Sequence, residues 1–174
     1  VGVSEYVSMA SSGPSAAFFD LDRTLISGSS AFVFAAAARR AGLRGARQLA
    51  RDAAVALSFK VRGASDDTSA AVRDRNLGAV RGMRQDDPVA LNAEVLPRLL
   101  DKIRPEARRL LDLHRHAGRA TYIVSASPVE IVDEFAKAIG MTGGIGTVAE
   151  IDDGVYTGGL AAPFCYGEGK AEAI

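Results

Sequence analysis

The sequence is poor in cysteine, in net charge and in long apolar runs, and each shortage excludes a class of protein. Its single cysteine, Cys165, cannot form an internal disulfide, and no Cys/His cluster has the spacing of a zinc site. Lys plus Arg number 21, as do Asp plus Glu, which excludes a generic nucleic-acid binder with its basic surface. No apolar run is long enough to span a membrane. We therefore expect a protein of a reducing compartment, the cytoplasm, with no nucleic-acid partner.

Aromatic residues are also scarce, at 6% with no Trp, whereas 31 of the 174 residues are alanine. This composition favours much helix and a core of small aliphatic side chains. Hydrophobic residues make up 48% and charged residues 24%, which is typical of a globular domain and excludes disorder of the whole chain. The length predicts one domain or slightly more.

Short apolar runs alternate with helical patterns along the chain. Residues 16–20 and 119–125 have the length and composition of buried strands, and helices are predicted to begin at Pro105 and at Pro128. Strands that alternate with helices indicate an α/β fold with a parallel sheet. The segment 33–100 is nearly all helical and interrupts this alternation, so we interpret it as an inserted helical cap.

The domain organisation follows from that interruption. We expect residues 14–32 and 101–174 to form a discontinuous α/β core, residues 33–100 the cap, and residues 1–13 a polar tail. The tail lacks the basic and apolar regions of a signal peptide.

Glycine-containing segments near the end of the chain predict turns. Asp152-Asp153-Gly154 separates two strand-like runs, and an Asp-Gly pair at this place is a strong signal of a β-hairpin. We interpret the glycine pairs 143–144 and 158–159 as turns as well.

The first candidate functional segment is Asp20-Leu21-Asp22-Arg23-Thr24, directly after the first predicted strand. Ligands bind at the carboxyl ends of strands in open α/β sheets, and two carboxylates two residues apart can point to the same side. Their mutual repulsion is relieved by a divalent cation, which would also bring a phosphate beside them. A turn-capping cluster is the structural alternative.

Two further segments carry weaker signals. Ser125-Ala126-Ser127 ends the second predicted strand just before a helix, where free N–H groups can bind an anion, although an ordinary Ser cap explains it equally well. Gly169-Lys170 lies at a loop-to-helix boundary, and its lysine either reaches a phosphate or is simply solvated.

Taken together, these three segments and the intervening helical stretch resemble the haloacid dehalogenase (HAD) superfamily of phosphotransferases. The resemblance is to its subfamily IB, the phosphoserine-phosphatase-like branch, and it covers about residues 15–174. It implies a Rossmannoid parallel sheet with an inserted helical cap and a Mg²⁺-dependent phosphomonoester hydrolase as the activity.

The resemblance also implies roles for individual residues. Asp20 would be the nucleophile that forms an aspartyl-phosphate, and Asp22 the general acid and then the general base. The metal would be held by Asp20 and the backbone carbonyl of Asp22. The residues expected to hold the phosphoryl oxygens are Ser125, Ala126 and Lys170. Those expected on the substrate or cap side are Thr24 and Ser29.

The chain departs from the family pattern in two places. Position 29, where phosphoserine phosphatases typically carry a Glu that receives the substrate ammonium, holds Ser29, so the resemblance extends to phosphatase chemistry rather than to phosphoserine specificity. The fourth motif, which completes the metal site with acidic residues, is absent before the sequence stops at Ile174. A helix that stops mid-pattern is typical of a fragment, so we expect truncation before that motif.

Alternatives to a small-molecule phosphatase remain at this point. A phosphomutase uses the same carboxylates, and a non-catalytic phosphate-binding or regulatory module would keep the pocket without the metal. The basic segment 39–62 either faces a membrane or polyanionic substrate or is a solvated cap surface, which is the commoner case. We expect an apolar sheet edge beside the strand that ends at Ser125, which leaves a homo-oligomer open.

Overall fold

The computed structural model describes residues 15–42, 70, 73–74, 77–78 and 80–174. The predicted polar tail 1–13 and residues 43–62 of the basic segment lie outside the described residues. None of the described helices has the length and hydropathy needed to cross a bilayer.

A three-stranded parallel sheet positions the candidate residues. Strand β1 (Ala16–Phe19) pairs with β2 (Ala120–Pro128), which pairs in turn with β3 (Gly143–Thr147), so β2 is central. Because all three strands run in the same direction, the residues that follow β1 and those at the end of β2 meet at one edge. The predicted α/β fold with a parallel sheet is confirmed.

Besides the helical residues 70, 73–74, 77–78 and 80, five helices have both ends in the described part of the chain. Their bounds are α1 (Ser30–Arg40), α2 (Asp86–Leu100), α3 (Pro105–His116), α4 (Val129–Ala138) and the single turn α5 (Gly169–Glu172). Helix α3 begins at Pro105 as predicted, because proline has no N–H to lose in the first turn. Helix α4 begins one residue later than predicted, with Pro128 just before it.

One apolar cluster joins the sheet to the helices. It includes Phe19 of β1, Ile123 of β2, Val33 of α1, Leu99 of α2 and Phe135 of α4, all buried. Helix α2 packs against both α1 and α4. The division into core and cap stays a prediction, and its boundary at residue 33 falls within α1.

The predicted hairpin is confirmed. Strands β4 (Ala149–Asp152) and β5 (Val155–Leu160) pair antiparallel. Asp153 and Gly154 both have positive φ, at 47° and 73°, which is the backbone of the tight turn that Asp-Gly favours.

The prediction that Gly143-Gly144 forms a turn is wrong, because these residues begin β3. A Cβ at Gly144 would lie 2.6 Å from backbone atoms of Val132 and Asp133, so only glycine lets α4 lie this close to the strand. The pair 158–159 likewise lies within β5. Since β3 covers β2, the expected uncovered edge beside the Ser125 strand is also wrong, and in the described sheet the edge strands are β1 and β3.

Candidate active site

The loop after β1 is anchored from below by three fully buried side chains, Leu21, Leu25 and Ile26. Backbone hydrogen bonds close it, including Leu25 N–H to the Asp20 carbonyl at 3.3 Å and Ile26 N–H to the Leu21 carbonyl at 3.1 Å. Burying the leucines on one side leaves the polar residues between them facing the other side. The loop therefore holds Asp20 and Asp22 at the end of the sheet without relying on contacts of the carboxylates themselves.

The Asp20 carboxylate is paired with Lys170, the predicted phosphate-binding lysine, which lies 150 residues further along the chain. The ammonium of Lys170 donates a hydrogen bond of 2.6 Å to Asp20 Oδ1, and its side chain is 29% exposed against 42% for the aspartate. Thr24 Oγ1 makes a longer contact of 3.4 Å with Oδ2. The carboxylate is thus held by a cation on one side and is still open to solvent.

Asp22 has a different environment. Its Oδ1 accepts a 2.8 Å hydrogen bond from the backbone N–H of Ser30, the first residue of α1, and its Oδ2 accepts one of 3.1 Å from Ser29 Oγ. A carboxylate at a helix N-terminus is favoured by the free N–H groups and the helix dipole. Ser29 contacts Asp22, and its expected place on the substrate or cap side stays a prediction.

The segment Ser125-Ala126-Ser127 lies in a bulge of β2. Val124 pairs with Ile145 and Pro128 pairs with Thr147, so a step of four residues along β2 matches a step of only two residues along β3. Bulges of this kind re-aim backbone groups at the end of a sheet and are frequent beside active sites. Thr147 Oγ1, on β3, donates a hydrogen bond of 2.9 Å to the Ala126 carbonyl and so fixes the bulge to β3.

Serine hydroxyls complete the bulge. The N–H of Ser127 donates to Ser125 Oγ at 3.2 Å, and Ser127 Oγ lies 2.8 Å from Ser30 Oγ. Ser30 is 2% exposed and Ser127 is partly buried, and this hydroxyl pair links the start of α1 to the bulge.

The segment after β5 brings Lys170 to Asp20. Cys165 anchors it, since this residue is fully buried and its thiol contacts the Ile145 carbonyl at 3.8 Å. Gly169 is pressed against the Phe164 carbonyl, where a side chain has no room. Burial raises the pKa of the Cys165 thiol, whereas the nearby Lys170 ammonium and a Ser125 N–H act in the opposite direction. The thiol is thus a buried neighbour of the Asp20–Lys170 pair.

The structure therefore brings the predicted residues of all three segments to one end of the sheet. Sequence reasoning missed Ser30, although a serine run directly before an alanine-rich helix is an N-terminal signal that could have drawn attention to it. His114 and His116, discounted from the sequence, lie in the last turn of α3, where His116 Nδ1 is 2.6 Å from the Asp112 carbonyl.

Comparison with known proteins adds independent findings. The family model described as haloacid dehalogenase-like hydrolase matches residues 17–174. The chain is 34% identical over 161 residues to phosphoserine phosphatase SerB1 of Mycobacterium tuberculosis, covering 91% of this chain and 52% of that protein. It is 36% identical over 163 residues to a probable phosphatase of the same species, covering 91% and 55%. The chain thus spans about half the length of these relatives.

A solved structure of a Bordetella pertussis protein of unknown function matches 92% of this chain and 73% of its own, with a TM-score of 0.74 and 24% sequence identity. At that identity the likeness concerns the fold alone.

Proposed function

Because the chain belongs to the haloacid dehalogenase-like hydrolases and is phosphoserine phosphatase-like among them, we propose that the protein hydrolyses small phosphate monoesters through an aspartyl-phosphate on Asp20. The pairing of Asp20 with Lys170 across 150 residues is the single observation that supports this most strongly. An ammonium beside a carboxylate at the end of a parallel sheet provides both an attacking oxygen and a positive charge for the phosphoryl group.

In the first step, an Asp20 carboxylate oxygen attacks phosphorus while the ester oxygen leaves. Asp22 acts as general acid and gives a proton to the leaving oxygen, so the alcohol departs neutral. In the second step, a water molecule attacks phosphorus and Asp22 takes up a proton from it. The bond between phosphorus and Asp20 breaks, inorganic phosphate leaves, and the free carboxylate is restored.

We assign the phosphoryl oxygens to three groups: the Ser125 hydroxyl, the Ala126 N–H and the Lys170 ammonium. Ser125 is 3% exposed, so its hydroxyl is shielded from competition with bulk water. The bulge in β2 supports the assignment of Ala126, since it releases this part of the strand from regular pairing with β3.

Mg²⁺ fits the donors present, since the Asp20 carboxylate and the Asp22 carbonyl are both hard oxygen ligands. In the described part of the chain, no third His, Cys, Asp or Glu side chain joins them in a metal-binding group. Mg²⁺ characteristically binds through one or two carboxylates with waters and substrate phosphate. When bound, the ion would neutralise charge on the phosphoryl group and on Asp20.

The organic part of the substrate is proposed to lie between core and cap. A small apolar pocket adjoins the bulge at this place. Its lining includes Phe34, Leu77 and Val80 from the proposed cap, and Ala126, Pro128 and Tyr156 from the proposed core. With Ser29 turned toward Asp22, the proposed substrate class is phosphate monoesters in general rather than phosphoserine.

The test is turnover and trapping in the full-length protein. We expect Asp20→Asn to abolish Mg²⁺-dependent release of inorganic phosphate from p-nitrophenyl phosphate, because the covalent route needs this carboxylate. Mass spectrometry of the acid-quenched wild type should find a phosphoryl group on Asp20. Asp112→Asn, which removes an exposed carboxylate on α3, is the matched control and should keep full activity. Near-normal turnover of Asp20→Asn would refute the proposal.

A further inference from the structure

We infer that Ser29 and Ser30 are positioning residues that hold the Asp22 carboxylate in the orientation needed for proton transfer. The inference rests on the proposed function, since it assigns a role within the same site. It changes the expected role of position 29, from a contact with substrate to a contact with the general acid.

Both carboxylate oxygens of Asp22 are occupied by adjacent residues. Ser30 N–H lies 2.8 Å from Oδ1 and Ser29 Oγ lies 3.1 Å from Oδ2. A carboxylate held at both oxygens cannot rotate without breaking one of the two hydrogen bonds. Proton transfer depends on such an orientation, because donor and acceptor must come within hydrogen-bond reach.

The start of α1 is built for this contact. Ser29 occupies the N-cap position with an extended backbone, φ −125° and ψ 133°, yet its hydroxyl makes no hydrogen bond to its own helix. The Asp22 carboxylate accepts the N–H that opens the helix instead. The Asp22 carboxylate thus takes the place of the capping side chain at the start of α1, and the Ser29 hydroxyl, which would ordinarily cap the helix, contacts Asp22.

A second contact ties this arrangement to the phosphoryl-binding bulge. The hydroxyl of the buried Ser30 lies 2.8 Å from that of the partly buried Ser127. Asp22 is therefore connected through Ser30 to the segment assigned to the phosphoryl oxygens. The distance from the acid to the phosphoryl group is set by one residue that touches both sides.

Substituting Ser30 in two ways separates its N–H from its hydroxyl. Ser30→Pro removes both, whereas Ser30→Ala removes only the hydroxyl. Proline suits this place, because it is favoured at the first position of a helix and Ser29 already has the extended backbone that precedes proline. Circular dichroism and thermal unfolding check that both variants are folded.

The readout is the ratio of kcat for 2-glycerol phosphate to kcat for p-nitrophenyl phosphate. An alkyl leaving group needs a proton from Asp22 far more than an aryl one does. We expect Ser30→Pro to lower this ratio by about 10-fold, which is less than the roughly 10²–10⁴-fold of general acid–base help because Asp22 itself is kept, and Ser30→Ala to lower it less. Ser29→Ala should also lower the ratio, and Ser29→Thr, which keeps a hydroxyl, should restore it.

A double variant shows whether the effect passes through Asp22. In an Asp22→Asn background, Ser30→Pro should cause no further change in the ratio, whereas a general loss of structure would add to it. An unchanged ratio in Ser30→Pro and Ser29→Ala, with Asp20→Asn inactive, overturns this inference and leaves the proposed function standing. Turnover by Asp20→Asn overturns both. Ser29→Ala and Ser29→Thr decide the question if Ser30→Pro does not fold.

Discussion

Replacing Gly144 by alanine should destabilise the protein far more than the same change at its neighbour Gly143. A Cβ at Gly144 would meet the α4 backbone at 2.6 Å, against Val132 C and O and Asp133 N. Ordinary carbon contacts lie at roughly 3.5–4.0 Å, so the helix must retreat by about 1 Å. Overpacking of this kind costs about 1–3 kcal/mol.

A hydrogen bond is lost in the same movement. Gly144 N–H donates to Asp133 Oδ1 at 3.2 Å. A bond to a charged group contributes about 1.5–3 kcal/mol where it is shielded, but Asp133 is about one-third exposed, and solvent reduces this to the lower end or below. The smaller entropy of an unfolded chain with alanine offsets about 0.4–1 kcal/mol. We therefore expect a net loss of about 2–3 kcal/mol.

Gly143→Ala is the matched control. It lies one residue away in β3, and its new Cβ would meet the ring of Tyr122 at 3.6 Å and Asp133 Oδ1 at 3.8 Å, both ordinary contact distances. This change should be neutral or slightly stabilising. The measurement is the denaturant midpoint with its slope, together with Tm. For a chain of this size, about 2–4 °C per kcal/mol predicts a fall of roughly 4–12 °C for Gly144→Ala alone. Equal midpoints for the two variants would show that α4 does not lie against β3 as described.

Two further predictions concern the hairpin and the bulge. Burial first, and then the hydrogen bond and charge of Glu130, raise the pKa of Tyr156 above its ordinary value of 10. The unfolded chain ionises this phenol above pH 10 while the folded chain does not, so the free energy of unfolding should fall as pH rises there. Chemical denaturation should show that the free energy of unfolding of Tyr156→Phe depends less on pH in this range. Equal pH dependence in the wild type and the variant would contradict the assignment. Gly146→Ala would place a Cβ 2.6 Å from Val129 Cα and 2.8 Å from the Ser127 carbonyl, so the bulge must move. A displacement of site residues by about 1 Å suffices for a 10²-fold loss of rate, so we expect kcat/KM to fall by about 10²-fold. Phosphate release from p-nitrophenyl phosphate measures this, with Gly143→Ala as control, and full activity would mean that the bulge tolerates displacement.

The sequence predicted those elements whose local signals agree with their environment. The strand that ends at Phe19 is a plain apolar run, α3 opens with Pro105, and the β4–β5 turn has Asp-Gly where positive φ is required. Strand β3 lacks any such signal, since Gly143, Gly144 and Gly146 have low strand propensity. The close approach of α4 explains Gly144 and Gly146, and only three-dimensional packing reveals it.

The candidate site divides in the same way. Asp20 and Lys170 were assigned through resemblance, because a contact across 150 residues leaves no periodicity in the sequence. The partners of Asp22 are only seven and eight residues away, yet Ser29 was expected on the substrate or cap side and Ser30 was missed. A serine before a helix is ordinarily assigned to cap that helix, and nothing local indicates that its hydroxyl turns to another carboxylate.

Cys165 makes the closure of the site measurable without any substrate. It is the single thiol in the 174 residues, and it is fully buried beneath the segment that carries Lys170. An alkylating reagent can reach it only when the local structure opens, so the labelling rate measures how often this part of the fold opens. Inorganic phosphate, if it binds Lys170 as proposed, should slow the labelling of Cys165. Ligands can therefore be ranked by how much they slow the alkylation of Cys165.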